Sequence, residues 1–163
     1  MLEIGYWGIR GLAAPLRMMM EYTSTEFKDI QYSGDDWFKV DKPKLKELSP
    51  IINLPYIKEG DSIVTQSTSC FVYLSEKVGL YGGMKDLELL CEIYDFREVM
   101  MTLVYAFRQV CRDKDEYNAA VDTNCKKNVP RFLKKYEQVL AMNSTTYLLK
   151  DTPVASAFHL WEL

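Results

Sequence analysis

The sequence predicts two folded parts in succession, an α/β unit over residues 1–83 and an all-helical unit over residues 84–163. Three observations carry that division. Up to Val78, short apolar runs bounded by glycine or proline alternate with apolar residues at helical spacing, a β-α-β-α-β-β-α pattern. From Asp86 onward the strand signals stop and long amphipathic helices take over. Between the two, Gly79, Gly82 and Gly83 cluster, which puts the boundary between Gly79 and Asp86.

Leu2 to Tyr6 is short, apolar and followed by a glycine-bracketed loop at Gly8 and Gly11, as a buried strand would be. Leu12, Leu16, Met19 and Met20 then recur on one face of a helix expected over Leu12 to Thr23. Pro15 lies in its first turn, where a missing N–H costs little. Phe27 to Tyr32 is a second strand. Ser33 to Ile52 is charged, contains Trp37, Lys42, Lys44, Lys46 and two prolines, and is expected to be a loop carrying a short helix. Loops of that length are often functional. Tyr56 to Lys58 and Ser62 to Thr65 make a hairpin around Glu59-Gly60-Asp61, and a helix over Cys70 to Val78 closes the unit. In the second part, helices are expected over Leu87 to Arg112 and over Tyr117 to Met142, the latter kinked near Pro130.

Composition excludes several classes of function. With 48% hydrophobic residues the chain can pack a core, and its net charge of -3 with no concentrated basic patch argues against a nucleic-acid partner. No apolar run approaches the length of a membrane span, and the start of the chain lacks the basic-then-apolar pattern of a secretion signal. Cys70, Cys91, Cys111 and Cys125 form no CxxC pair, and the chain has a single histidine, so no metal site is expected. Three of the four fall in apolar helical patterns. Buried free thiols and a reducing, cytoplasmic compartment are the expectation.

Asn53 to Ser69, NLPYIKEGDSIVTQSTS, concentrates the chemistry. Pro55 follows an X-Pro step that can be cis, and a reversal there would leave the backbone of Leu54 free to pair with an extended peptide. Gln66 and Ser67 lie at the mouth of the closing helix, whose first N–H groups suit a carboxylate. The alternative is an ordinary ββα unit with trans Pro55 and Ser67 as a simple helix cap.

GYWGIRGLAAPLRMMMEYT, NLPY and TQSTSCFVYLSEK together resemble the first domain of the cytosolic glutathione transferases, most closely the mu class. The resemblance continues more weakly through the helical part to PVASAFHLWEL. It implies a thioredoxin-like domain followed by an all-helical one, in a cytoplasmic homodimer. Glutathione would be the co-substrate, with no tightly bound cofactor. It gives Tyr6 the catalytic role, donating to the thiolate of glutathione, and Leu54 before Pro55 the backbone pairing with the cysteinyl part. Gln66 and Ser67 would hold the γ-glutamyl carboxylate, with Asn53 in support. Trp37 and a lysine, Lys44 or its neighbours Lys42 and Lys46, would meet the glycine carboxylate; the segment from Trp37 to Asn53 is longer than the family's, so the lysine register is open. Trp7 and Leu12 would line the cleft beside Arg10.

The chain also departs from the pattern. Gly8 stands where an aspartate is common, Met100 where the mu class has an acidic residue, and Val110 or Cys111 where it has a tyrosine that assists electrophile chemistry. The Ser/Thr-x-x-Asp box that starts the core helix of the second domain is replaced at Val154 and Ala157. His159 and Trp161, in that helix, are expected in the core. Two functions follow. One is an enzyme that conjugates glutathione to small apolar electrophiles, a detoxification chemistry. The other is a non-catalytic module of the same fold, its helical domain covered by partner subunits of a larger assembly. A thioredoxin-type oxidoreductase would need a cysteine where the chain has Tyr6 and Trp7.

Overall fold

The computed structural model describes residues 1–105 and 112–163. Strand β1 (Leu2–Trp7) runs through a 3-10 turn at Gly11–Ala13 into helix α1 (Ala14–Tyr22), and β2 (Phe27–Tyr32) returns parallel to β1. A π-helical turn, Asp36–Asp41, leads into the short α2 (Lys42–Leu45). Then come β3 (Tyr56–Glu59), β4 (Ser62–Thr65) and α3 (Ser67–Lys77). β3 is antiparallel to β1 and β4 to β3, so the strand order is β2-β1-β3-β4. This is the thioredoxin-like arrangement. Helix α3 starts at Ser67, three residues before the expected Cys70, because Gln66 turns the chain at a φ of 73° and commits the hydroxyl residues after it to the first turn.

Alternation along the strands gives the sheet two different faces. Ile4 pairs with Ile57 and Gly5 with Tyr56, so these neighbours point to opposite sides. On the Gly5 side Tyr32, Trp37, Ile52 and Tyr56 form a buried aromatic cluster built from the segment between β2 and β3. The other side is left to the buried stripes of α1 (Leu16, Met19, Met20) and α3 (Cys70, Phe71, Leu74). Pro15 sits in the first turn of α1, as expected.

The chain divides into two compact units between Gly82 and Gly83. In the second, α4 (Met84–Tyr105), α6 (Val129–Asn143) and α7 (Ala155–Glu162) pack around Ile93, Phe96, Phe132, Tyr136 and Leu148, and α5 (Lys114–Thr123) lies against α4. Among the described residues no helix is long and apolar enough to cross a membrane. The break expected near Pro130 is a π-helical turn, Asn124–Asn128, joining α5 to α6. Proline has no N–H for the α-helical bond, and widening the preceding turn accommodates that loss.

Two expectations need correction. Trp161 is 79% exposed: on so short a helix Ala155, Ser156, Phe158 and His159 fill the inward stripe, and Trp161 falls on the far side. Cys91 and Cys125 are exposed, and only Cys70 is buried among the described cysteines, because the apolar stripe of α4 runs through Leu90, Ile93 and Phe96 and passes Cys91 by. Val110 and Cys111 lie outside the described residues.

Val154 supplies no side-chain cap to α7, yet the helix start is held. The buried Asp86, from the first turn of α4, accepts the N–H of Ser156 at 3.0 Å through its Oδ1. A carboxylate 70 positions away in sequence thus does the work of the missing local cap. Asp86→Ala leaves that N–H buried without its acceptor, an expected loss of about 1–3 kcal/mol. A urea midpoint shift at unchanged slope checks it, and Asp86→Asn, which keeps an oxygen acceptor, should lose less.

Candidate functional site

The strand register assembles the site at one end of the sheet. Gly5 lies opposite Tyr56, and Tyr56 opposite Thr65. One residue beyond these paired positions come Tyr6 on β1, Pro55 before β3 and Gln66 after β4, a row of three strand ends. Neighbouring strands are about 4.8 Å apart, so this row spans about 10 Å, the length of three extended residues.

Each position in the row has a local cause. Tyr6 is 6% exposed, and a methyl group on Gly11 would lie 2.9 Å from its hydroxyl and its ring edge. Gly11, at a φ of +43°, therefore leaves the space in which the phenol sits at the start of the turn into α1. The Leu54–Pro55 peptide bond is cis, which decides between the two alternatives the sequence leaves open. Thr65 fastens this step to β4: its hydroxyl accepts from the Asn53 N–H at 3.1 Å and donates to the Asn53 carbonyl at 2.8 Å. The Pro55 carbonyl lies 3.3 Å from the same hydroxyl and 3.6 Å from the Cys70 thiol. The flanking residues are engaged in this way, and no hydrogen bond to the backbone of Leu54 occurs among the described residues.

Gln66 is exposed and its side chain does not cap α3, although its carbonyl accepts from Cys70 N–H at 2.9 Å. The first turn of α3 carries no acidic residue. Its leading N–H groups, Ser67 first, are thus open to an anion. Burial pushes the Cys70 thiol up to about 12, which removes it as a nucleophile beneath the site.

The aromatic cluster forms the support. Trp37 is fully buried and stacks on Tyr56 with centroids 6.2 Å apart, while the Tyr56 and Tyr32 hydroxyls meet at 2.7 Å. Burial first, and the hydroxyl of its partner second, raises the Tyr32 phenol well above its usual range, so this layer stays neutral. The Trp37 indole N–H has no hydrogen-bond partner among the described residues. Trp7 and Leu54 pack against the cluster, and Phe38 lies 5.8 Å from Trp7. Leu12 is half-buried in the 3-10 turn beside Gly11.

Lys42 and Lys44 part company here. The π-helical turn bonds the Lys42 N–H to the carbonyl of Trp37, five residues back, and brings the Lys42 ammonium to 5.7 Å from the Trp37 ring. Lys44 is exposed and faces Asp41 at 3.5 Å, and Lys46 is exposed. Sequence reasoning missed the bridging hydroxyl of Thr65 and the space that Gly11 leaves for the Tyr6 ring. Thr65 stood next to Gln66 in the motif, but a hydroxyl bridging two backbone groups leaves no spacing signal.

Residues 2–76 match the family model described as the glutathione S-transferase N-terminal domain. Glutathione S-transferase Mu 2 of Rattus norvegicus is 30% identical over 164 residues, covering 90% of this chain and 71% of the rat protein. The chain belongs to the glutathione S-transferase family. Glutathione S-transferase Mu 1 of Oryctolagus cuniculus is 31% identical over 144 residues, 85% of this chain, which spans 64% of the length of that relative. The solved Pi-class glutathione S-transferase of Onchocerca volvulus shares the fold, with a TM-score of 0.78 over 99% of this chain and 74% of that one at 22% identity. The row from Tyr6 to Ser67 thus lies within the glutathione S-transferase N-terminal domain.

Proposed function

We propose that the first unit binds glutathione along the row Tyr6, Leu54-Pro55, Gln66-Ser67 and that the chain conjugates the tripeptide to small apolar electrophiles. The strand register carries this reading, because it sets a hydroxyl donor, an open backbone edge and an uncapped helix start at the spacing of an extended tripeptide. The γ-glutamyl carboxylate meets the N–H groups of Ser67 and its neighbours, with Gln66 and Asn53 alongside. The cysteinyl residue pairs with the backbone of Leu54, and its sulfur reaches the Tyr6 hydroxyl. Trp7 and Leu12 flank the sulfur.

The chemistry asked of the chain is small and specific. A thiol near neutral pH is mostly protonated and weakly nucleophilic. A hydroxyl donating to the sulfur favours the thiolate, and each unit of depression is worth about 1.4 kcal/mol. The thiolate then forms a C–S bond at the electrophilic carbon as the leaving group departs with its electron pair. Trp37 and Lys42 hold the glycine carboxylate end. Lys42→Ala should weaken glutathione binding about tenfold, the loss of one charge-assisted contact. Lys44→Ala should change it less than twofold, since Lys44 faces Asp41. Calorimetric titration of both variants tests the site, and the reverse order would move the carboxylate to Lys44.

A homodimer in a reducing, cytoplasmic setting accompanies this reading. The second reading, a non-catalytic module, has one observation in its favour: Met100, where the mu class has an acidic residue, packs against the apolar core of the second unit. Glutathione binding without conjugation of any apolar electrophile would select it.

A further inference from the structure

We propose that the groove between α4 and α6 binds a linear aliphatic polyamine, its ammonium groups on Glu88, Glu92 and Asp95 and the hydroxyl of Tyr136 beneath them. The inference concerns the helical unit alone and holds whether or not the first unit binds glutathione. The three acids stand at positions i, i+4 and i+7 of α4, so they share one face of that helix. All three line a cavity of about 370 Å³ against α6, with Leu89 and Val139 as its apolar walls and the exposed thiol of Cys91 among its lining groups.

Charge and hydrogen bonding both leave this groove short of a cation. Glu88 is answered by Lys85, and Glu92 by Lys135, which reaches across from α6 at 2.5 Å. Asp95 has no ion pair among the described residues. Tyr136 is 4% exposed, and its buried hydroxyl has no hydrogen-bond partner there. Burial first, then the charges of Glu92 and Asp95, raise that phenol well above its usual range, so it stays a neutral hydroxyl in the field of two carboxylates. A buried polar group left unpaired is costly, and an ammonium that donates to the phenol oxygen and to a carboxylate relieves it.

The spacing selects the kind of cation. At a rise of about 1.5 Å per residue the acids follow one another along α4 at about 6 and about 4.5 Å. Amines separated by three or four methylene groups repeat their charge every 5–6 Å or about that. Their methylenes suit Leu89 and Val139. The acids are strung out along the helix, and no group able to hold a metal ion occurs among the described residues. Lys135 on Glu92 shows that the groove accepts an ammonium on an alkyl stem.

Spermidine is the probe, titrated calorimetrically at physiological salt into the 163-residue chain. Asp95→Asn and Tyr136→Phe should each weaken binding about tenfold. Asp122→Asn, which removes an exposed carboxylate paired with Lys126, should change it less than twofold. Because the Tyr136 hydroxyl has no partner, Tyr136→Phe should leave the urea midpoint of the free protein unchanged or raise it. Asp95 is exposed, so its variant tests the groove without touching the core. The thiols report the place: spermidine should slow alkylation of Cys91 and leave that of Cys125 as it was. No binding, equal binding by the wild type and both groove variants, an equal loss in Asp122→Asn, or equal slowing of the two thiols would overturn the site.

Discussion

Tyr6→Phe is expected to lower the conjugation rate at neutral pH on the order of 10²-fold, the usual effect of removing one donor aimed at a developing anion. Affinity for glutathione should hardly move, because the contacts proposed for the carboxylates at Ser67 and Lys42 and for the backbone at Leu54 do not involve the Tyr6 hydroxyl. Phenylalanine fills the same space against Gly11, so the loss reports the hydroxyl and not a repacked loop. The pH profile gives the sharper reading. As the pH rises past the ordinary thiol value of about 8.5, sulfur ionises without help, and the two proteins should converge. A constant gap at all pH values would show that the hydroxyl acts on something other than thiol ionisation.

Gly5→Ala should be among the most destabilising single-methyl additions in the first unit. The added carbon would lie 2.1, 2.3 and 2.8 Å from ring atoms of Tyr56. That ring has nowhere to go: it is 2% exposed, stacked on Trp37 and fixed by its hydroxyl to Tyr32. Either the strand pair parts or the aromatic cluster rearranges, at an expected cost of about 3 kcal/mol. Gly8→Ala is the control, since its nearest neighbour would be the Gln31 Oε1 at 3.7 Å, and it should stay within about 0.5 kcal/mol. Urea unfolding of the two variants separates these outcomes, and a tolerated Gly5→Ala would mean that the Tyr56 ring moves freely. Because Tyr56 supports Trp37, Gly5→Ala should weaken glutathione binding as well.

Much of the first unit was legible in the chain, because each signal there is local. A strand ends at Tyr6, a glycine loop precedes a helical stripe, an X-Pro step precedes a hairpin, and Gln66-Ser67 precedes the last helix. These residues need only a strand register to come together. What stayed hidden depends on contacts distant in sequence or on helix phase. Lys42 comes over the Trp37 ring because a π-helical turn bonds its N–H to the carbonyl five residues back, a change of phase that spacing rules built on 3.6 residues per turn do not see. Asp86 marked only the boundary between the two parts, and it caps a helix 70 positions away. Trp161 and Cys91 are apolar residues in apolar stretches, but an amphipathic helix buries one stripe and leaves the rest outside.

The account rests on the claim that the row from Tyr6 to Ser67 stabilises a thiolate, and the thiol ionisation of bound glutathione tests this most directly. Thiolate absorbance is followed against pH with the protein in excess. The account predicts a midpoint at least about one unit below the ordinary thiol value of about 8.5, restored toward it in Tyr6→Phe. Glutathione that binds with an unshifted thiol, or a shift that survives Tyr6→Phe, would contradict it.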